Sequence, residues 1–287
     1  MNGKIALITG ANSGMGLATT TEIAKKGATV IMLCRNKQRG EAALETAKQH
    51  SGSQNIELMI CDLGSLESIR TFVSQFKEKY YKLDILINNA GVISLKRELT
   101  SDGFEMQLGI NHLGHFLLTN LLLESLNNAE EARIINVSSG AHKIGKIDLQ
   151  DPFLTKRYGL MKGYAQSKLA NILFTKELSK KLSNTNITVN ALHPGAVATN
   201  IGVNRKTGFG KNLIKLVKPF FLSPEEGAAT AIYLATSDEV KDTTGEYFYK
   251  KKIAFVSKVA QDNELAKKLW TWSEKQVFLT PKSDAKL

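Results

Sequence analysis

What most limits the folds open to this chain is a rhythm. Short apolar, β-branched runs alternate with amphipathic segments of helical period almost from end to end. The runs are KIALIT, TVIMLC, IELMIC, DILINN, RIINVS, ITVNALH and, less sharply, EYFYK. Between them stand stretches such as GLATTTEIAKKG, SIRTFVSQFKEKY and LANILFTKELSKKL. Continuous apolar runs suit strands buried on both faces, and their alternation with helices builds a parallel sheet covered on either side. The expected fold is therefore α/β, a single doubly wound Rossmann domain over residues 1–287 with a seven-stranded parallel sheet flanked by helices. No repeat or low-complexity linker interrupts it. The rhythm loosens over residues 194–225, where a helical substrate lid is expected, and residues 250–287 form a C-terminal extension with its own helix.

Composition narrows the class. With 43% hydrophobic and 23% charged residues, 287 residues can bury a sizeable core. The opening MNGKIALITG runs straight into a Gly-rich loop, so it reads as a strand rather than a signal peptide. Only Cys34 and Cys61 are present, which suits buried thiols in a reducing, cytoplasmic compartment. A net charge of +11 asks for an anionic partner. No nucleic-acid motif or basic-aromatic alternation occurs, so nucleic acid is not expected; an anionic cofactor or peripheral contact with an anionic membrane fits better.

The first strand leads into TGANSGMG, residues 9–16, which in turn opens the first helix. Glycines there let the backbone approach a pyrophosphate resting on the helix's free N–H groups. After the second strand, where a ribose-binding carboxylate would favour NAD, stand Cys34, Arg35 and Asn36. A guanidinium with no competing anion points to NADP, with NAD less favoured. Asp62 suits either an adenine contact or a turn. Asn88, Asn89, Ala90 and Gly91 end the fourth strand, where the sheet's crevice would hold a dinucleotide. His112 and His115 have no third ligand nearby in sequence, so no metal is expected.

Tyr-x-x-x-Lys occurs twice, as Tyr158/Lys162 and Tyr164/Lys168. Residues four apart share a face only on a helix. Tyr164 begins a long helical pattern without Gly or Pro, whereas Gly159 and Gly163 set Tyr158 in the approaching loop. Ala165, Gln166 and Ser167 are also small enough for a cofactor ribose to lie close. The pair expected to work is Tyr164 and Lys168, with Tyr158 a loop or pocket aromatic.

TGANSGMG, CDL, NNAG, INHLGHF, NVSS, YAQSK and HPGAVAT, in that order, resemble the short-chain dehydrogenase/reductase family over roughly residues 4 to 200. CRN, SKLANILFTKEL and LAKKLWTWSE are similar to its retinol-dehydrogenase-like branch. The resemblance implies a catalytic set of Asn111, Ser139, Tyr164 and Lys168. It also implies a dinucleotide along Gly10, Asn12, Ser13, Gly14, Met15 and Gly16. Further cofactor contacts follow at Arg35, Asp62, Leu63, Asn89, Ala90 and Gly91, at Tyr164 and Lys168, and at Pro194, Gly195, Val197 and Thr199. Asn111 is implied in a water relay behind Lys168, Thr199 at the cofactor's carboxamide, and Ser139 rather than Ser138 as the serine. A homodimer through the helices carrying Asn111 and Tyr164 is implied as well.

The chemistry follows. A carbonyl that accepts hydride develops negative charge on oxygen and must be protonated. Tyr164 is the expected acid, Lys168 is expected to lower its pKa, and Ser139 adds a hydrogen bond to the oxygen. A methyltransferase would want an acid where Cys34 and Arg35 stand. A sugar-nucleotide-modifying relative has different glycine spacing, and a non-catalytic dinucleotide sensor would lack the tyrosine. In residues 208–221, Lys211, Lys215 and Lys218 share one helix face and apolar residues the other. A lid of that kind favours a small lipophilic carbonyl or alcohol; its lysines either stay solvated or rest on a membrane.

Overall fold

The computed structural model describes residues 1–195 and 222–279. Val197, Thr199, Lys211, Lys215, Lys218 and most of the expected lid lie outside the described residues. The seven expected strands are present as β1 (Ile5–Thr9), β2 (Thr29–Cys34), β3 (Ile56–Ile60), β4 (Ile85–Asn88), β5 (Ala132–Val137), β6 (Ile187–His193) and β7 (Tyr247–Tyr249). They are joined by β8 (Lys252–Ile253) in one sheet of order β3-β2-β1-β4-β5-β6-β7-β8. All pairings are parallel except β7 with β8. That antiparallel edge corrects the expectation of seven strands. Its turn residues Lys250 and Lys251 take positive φ of 49° and 63°. Two lysines in a turn that usually selects Asn and Gly leave no hairpin signal in the sequence.

The helices are α1 (Gly14–Lys25), α2 (Lys37–Ser51), α3 (Leu66–Lys79), α4 (Met106–Leu108), α5 (His115–Asn127), α6 (Leu160–Lys181), α7 (Pro224–Thr236) and α8 (Asn263–Gln276). A π-helical turn, Gly109–Gly114, joins α4 to α5. Helix ends follow local chemistry. The Asn36 side chain caps α2, which stops at Gly52 with φ +71°. Ser223 and Glu226 form a reciprocal capping box on α7, with Pro224 in its first turn.

Alternate strand residues feed two cores. Leu7, Ile31 and Leu33 pack with Phe72, Phe76 and Phe116 on one face. Ala6, Ile8, Val30 and Met32 pack with Ile23, Ala24 and Ala231 on the other. This two-sided burial is why the runs are continuously apolar. After β3 the chain returns to the far side of β1 to begin β4, so the strand order reverses between β1 and β4. Loops leaving the carboxyl ends of those two strands diverge and open a crevice.

Helix α6 begins at Leu160, four residues before the expected start, so Gly163 lies inside it. Gly163 allows close packing rather than breaking the helix: a β-carbon there would stand 2.6 Å from Gln107 Nε2. At the other end of the chain, α8 lies across the helix pair α5 and α6. Trp270 meets Phe116 at 4.8 Å and Phe174 at 5.8 Å between ring centroids, and Lys181 Nζ stands 4.8 Å above its ring. Part of the helix pair through which a dimer was expected is thus packed against α8.

Candidate active site

The loop after β1 is shaped for close approach. Gly10 and Gly14 have φ of +65° and +54°, where a side chain would be strained. A β-carbon on Gly16 would run into the Gly10 carbonyl oxygen and stand 2.6 Å from Asn89 Nδ2. Asn12, Ser13 and Gly14 are half-buried, and Met15 turns into the core. Ser13 caps α1 without a side-chain hydrogen bond, and no acidic residue stands in the first turn. The first N–H groups of α1 therefore meet no carboxylate. A pyrophosphate fits this cradle.

Neighbouring loops are tied to it by Thr9. Its Oγ1 accepts the backbone N–H groups of Asn89 at 2.9 Å and Ala90 at 2.8 Å. Asn89 Nδ2 returns a bond of 2.6 Å to the Thr9 carbonyl. His115 Nε2 lies 2.8 Å from the same hydroxyl, and its Nδ1 lies 3.1 Å from the Asn111 carbonyl oxygen. Burial pushes the His115 pKa down to about 4. A neutral ring donating from Nδ1 and accepting the Thr9 O–H satisfies every one of these contacts. His112 is held elsewhere, with Nε2 2.8 Å from Ser273 Oγ in α8. Thr9 and His115 were not among the expected site residues. Only the placement of β1 beside α5 gives them a role.

Arg35 is exposed just beyond β2, and Arg39 is exposed one helical turn later. Asp62 takes the turn role, its Oδ1 accepting the Gly64 N–H at 2.9 Å. Leu63 is buried in the core against Gly114, whose missing side chain makes room for the Leu63 carbonyl. Asn88 points inside the sheet, to Thr119 and Asn136. Pro194 and Gly195 follow β6, where Gly195 has φ +89° and a β-carbon would stand 2.5 Å from Leu222 Cδ1.

Ser139, at the carboxyl end of β5, and Tyr164, on α6, come together. Burial pushes the Tyr164 phenol pKa up, while a hydrogen bond with the Ser139 side chain pulls it down. Ser138 is instead buried, its hydroxyl donating to the Lys168 carbonyl at 2.7 Å. Lys168 is only 3% exposed, and its Nζ donates to the Val137 carbonyl at 3.0 Å. Burial lowers its pKa to about 8. Nζ stands 5.7 Å from the centroid of the Tyr164 ring, over its face. Burial outweighs the Ser139 hydrogen bond, so the phenol pKa lies above its ordinary value rather than below it as expected from Lys168.

Asn111 lies in the π-helical turn. Its Oδ1 accepts the Val92 N–H at 2.8 Å, and its Nδ2 donates to the Val92 carbonyl and to Ser167 Oγ at 3.1 and 3.0 Å. Gly91 faces both groups: a β-carbon there would be 3.6 Å from Asn111 Oδ1 and from Lys168 Nζ. The vacant space at Gly91 therefore borders both of these polar ends. Tyr158 is turned to other work. Its hydroxyl donates to the Ser94 carbonyl at 2.6 Å and accepts from Gln107 Nε2 at 2.9 Å, tying the β4 loop to α4.

The family model for short chain dehydrogenases matches residues 4–208. Human retinol dehydrogenase 14 is 45% identical over 294 residues, covering 97% of this chain and 88% of its own length. The crystal structure of an uncharacterised protein from Mycobacterium paratuberculosis superposes with a TM-score of 0.78 at 35% identity, covering 96% of this chain and 94% of that one. RhlG of Pseudomonas aeruginosa, in an active-site complex with NADP, gives a TM-score of 0.68 at 26% identity, covering 86% and 94%. The chain belongs to the short-chain dehydrogenase family.

Proposed function

We propose that the chain is an NADP(H)-dependent oxidoreductase acting on a lipophilic aldehyde, ketone or alcohol. The observation that carries this is the meeting of Ser139, Tyr164 and Lys168 beside the glycine-lined crevice. A bound nicotinamide dinucleotide supplies or accepts the hydride. Gly10, Asn12, Ser13, Gly14 and Gly16 would hold its phosphates, and Asn89, Ala90 and Gly91 would border its ribose. Tyr164 gives its phenolic proton to the carbonyl oxygen as negative charge develops there. Ser139 donates a second hydrogen bond to that oxygen. Lys168 holds a cationic end beside the phenolate left behind, and Asn111 fixes the Val92 backbone and the Ser167 hydroxyl around it.

NADP is favoured by Arg35, which is exposed at the end of β2 between Cys34 and Asn36, and by the NADP complex of RhlG. The lipophilic substrate is supported by the name of human retinol dehydrogenase 14. The buried free thiols Cys34 and Cys61, pushed up to about 11 and 12 by burial, suit a reducing cytoplasm. A homodimer through the parts of the Asn111 and Tyr164 helices left free by α8 belongs to the same proposal. The test is NADPH consumption with a series of aliphatic aldehydes. kcat/KM should climb with chain length, since each buried methylene contributes about 0.8 kcal/mol. Preference for short or charged carbonyls would overturn the substrate class, and no turnover on any carbonyl would overturn the activity.

A further inference from the structure

Behind Ser139 stands a buried imidazole that none of these steps uses. His142 lies in the 3-10 turn Gly140–Ile144 and has no exposed surface. Its Nδ1 is 2.8 Å from the Ser139 carbonyl oxygen, and the Ser257 backbone N–H points at its Nε2 from 3.3 Å. A backbone N–H can only donate, so Nε2 is the bare nitrogen and Nδ1 carries the proton. The ring meets Tyr247 of β7 edge-on, with centroids 5.0 Å apart. Among the described residues, Lys143 on the same turn and His193 on β6 are the other titratable groups facing it, and burial lowers its pKa. His193 also closes the turn from the far side, its Nε2 3.4 Å from where a β-carbon on Gly140 would stand.

We propose that His142 is a positioning residue, linking the C-terminal segment at Ser257 to the main chain of Ser139 and so fixing where the serine hydroxyl points. The Ser139 carbonyl also accepts the His142 backbone N–H at 3.1 Å, and Ser139 Oγ accepts the Ala141 N–H at 3.2 Å. These contacts engage both Ser139 oxygens as acceptors and leave the hydroxyl proton to be donated toward Tyr164 or a substrate oxygen. This rests on the proposed role of Ser139 in protonating a carbonyl. It goes further in making a residue on the C-terminal extension part of the serine's support.

The replacements separate the two ends of the ring. Asn at position 142 can place an N–H where Nδ1–H stands, whereas Gln reaches the Nε2 position without supplying that donor. With NADPH and a long-chain aliphatic aldehyde, His142→Ala should lower kcat roughly 10- to 100-fold, the scale of a misplaced reacting group. His142→Asn should recover most of it and His142→Gln should not, with NADPH affinity unchanged throughout. In a Ser139→Ala background, His142→Ala should change the residual rate less than about twofold, because the group it positions is gone. Equal rescue by Gln, or an undiminished loss in the Ser139→Ala background, would overturn the proposal. Nitrogen-15 NMR of the wild type reads the tautomer without any turnover. Protonated Nδ1 is expected, and protonated Nε2 would overturn the positioning role even in an active enzyme. An inactive wild type with the expected tautomer and no response of any carbonyl would instead overturn the proposed enzymatic function.

Discussion

Replacing Lys168 by Met should make the protein more stable while removing its activity. The ammonium is 3% exposed and donates only to the Val137 carbonyl among its described partners. Burial moves its pKa from an ordinary 10.5 to about 8. At about 1.4 kcal/mol per decade, the folded state carries a penalty of roughly 3 kcal/mol for the charge at pH 7. Methionine fills the same space without it. The lost hydrogen bond offsets about 1 kcal/mol, and the Val137 carbonyl keeps the Asn171 Nδ2 donor at 3.1 Å. The net gain is about 2 kcal/mol, a rise in Tm of roughly 4–8 °C. The sign follows from linkage. Between about pH 8 and pH 10.5 the unfolded lysine binds more protons than the folded one, so wild-type stability rises with pH across that window. The advantage of Lys168→Met should therefore be full at pH 7 and fade toward pH 10.5. Calorimetry at both pH values measures it. A variant less stable than wild type at pH 7, or a difference independent of pH, would refute the argument.

Tyr164→Phe should cut turnover roughly 100- to 10,000-fold, the usual worth of a general acid. Tyr158→Phe should keep the rate within about tenfold yet lose about 1–3 kcal/mol of stability, because the buried Ser94 carbonyl loses its donor and the Gln107 amide one of its two acceptors; steady-state kinetics with thermal unfolding separate the two effects. Arg35→Ala should erase a preference for NADPH over NADH of roughly 10- to 150-fold, read as the ratio of dissociation constants, if the guanidinium pairs with the 2'-phosphate. Trp270→Ala should cost about 3–5 kcal/mol in chemical denaturation, since the indole packs against Phe116 and Phe174.

The sheet was legible because both faces of its strands are buried, leaving unbroken apolar runs such as those of β1 and β2. Strand β8 was not, being two residues long with lysines in its turn. Gly163 misled by composition. Alone in a sequence it reads as a break, whereas its purpose is to let Gln107 pass close to α6. The loop and the Tyr–Lys pair could be read locally, because their spacing is short. Thr9, His115 and His142 could not, since their partners lie 80, 106 and 115 residues away in the chain. The phenol's pKa is a further case. Spacing places Lys168 near Tyr164, but burial, which only the fold sets, decides the direction of the shift.

The position of α8 has a consequence during synthesis. Trp270 and Ser273 are synthesised long after the residues they pack against. Until then the rings of Phe116 and Phe174 lack their cover, and the His112 imidazole lacks the hydroxyl that meets it. A nascent chain on the ribosome therefore presents an aromatic surface, the kind of exposed patch that chaperones engage and that aggregates when left alone.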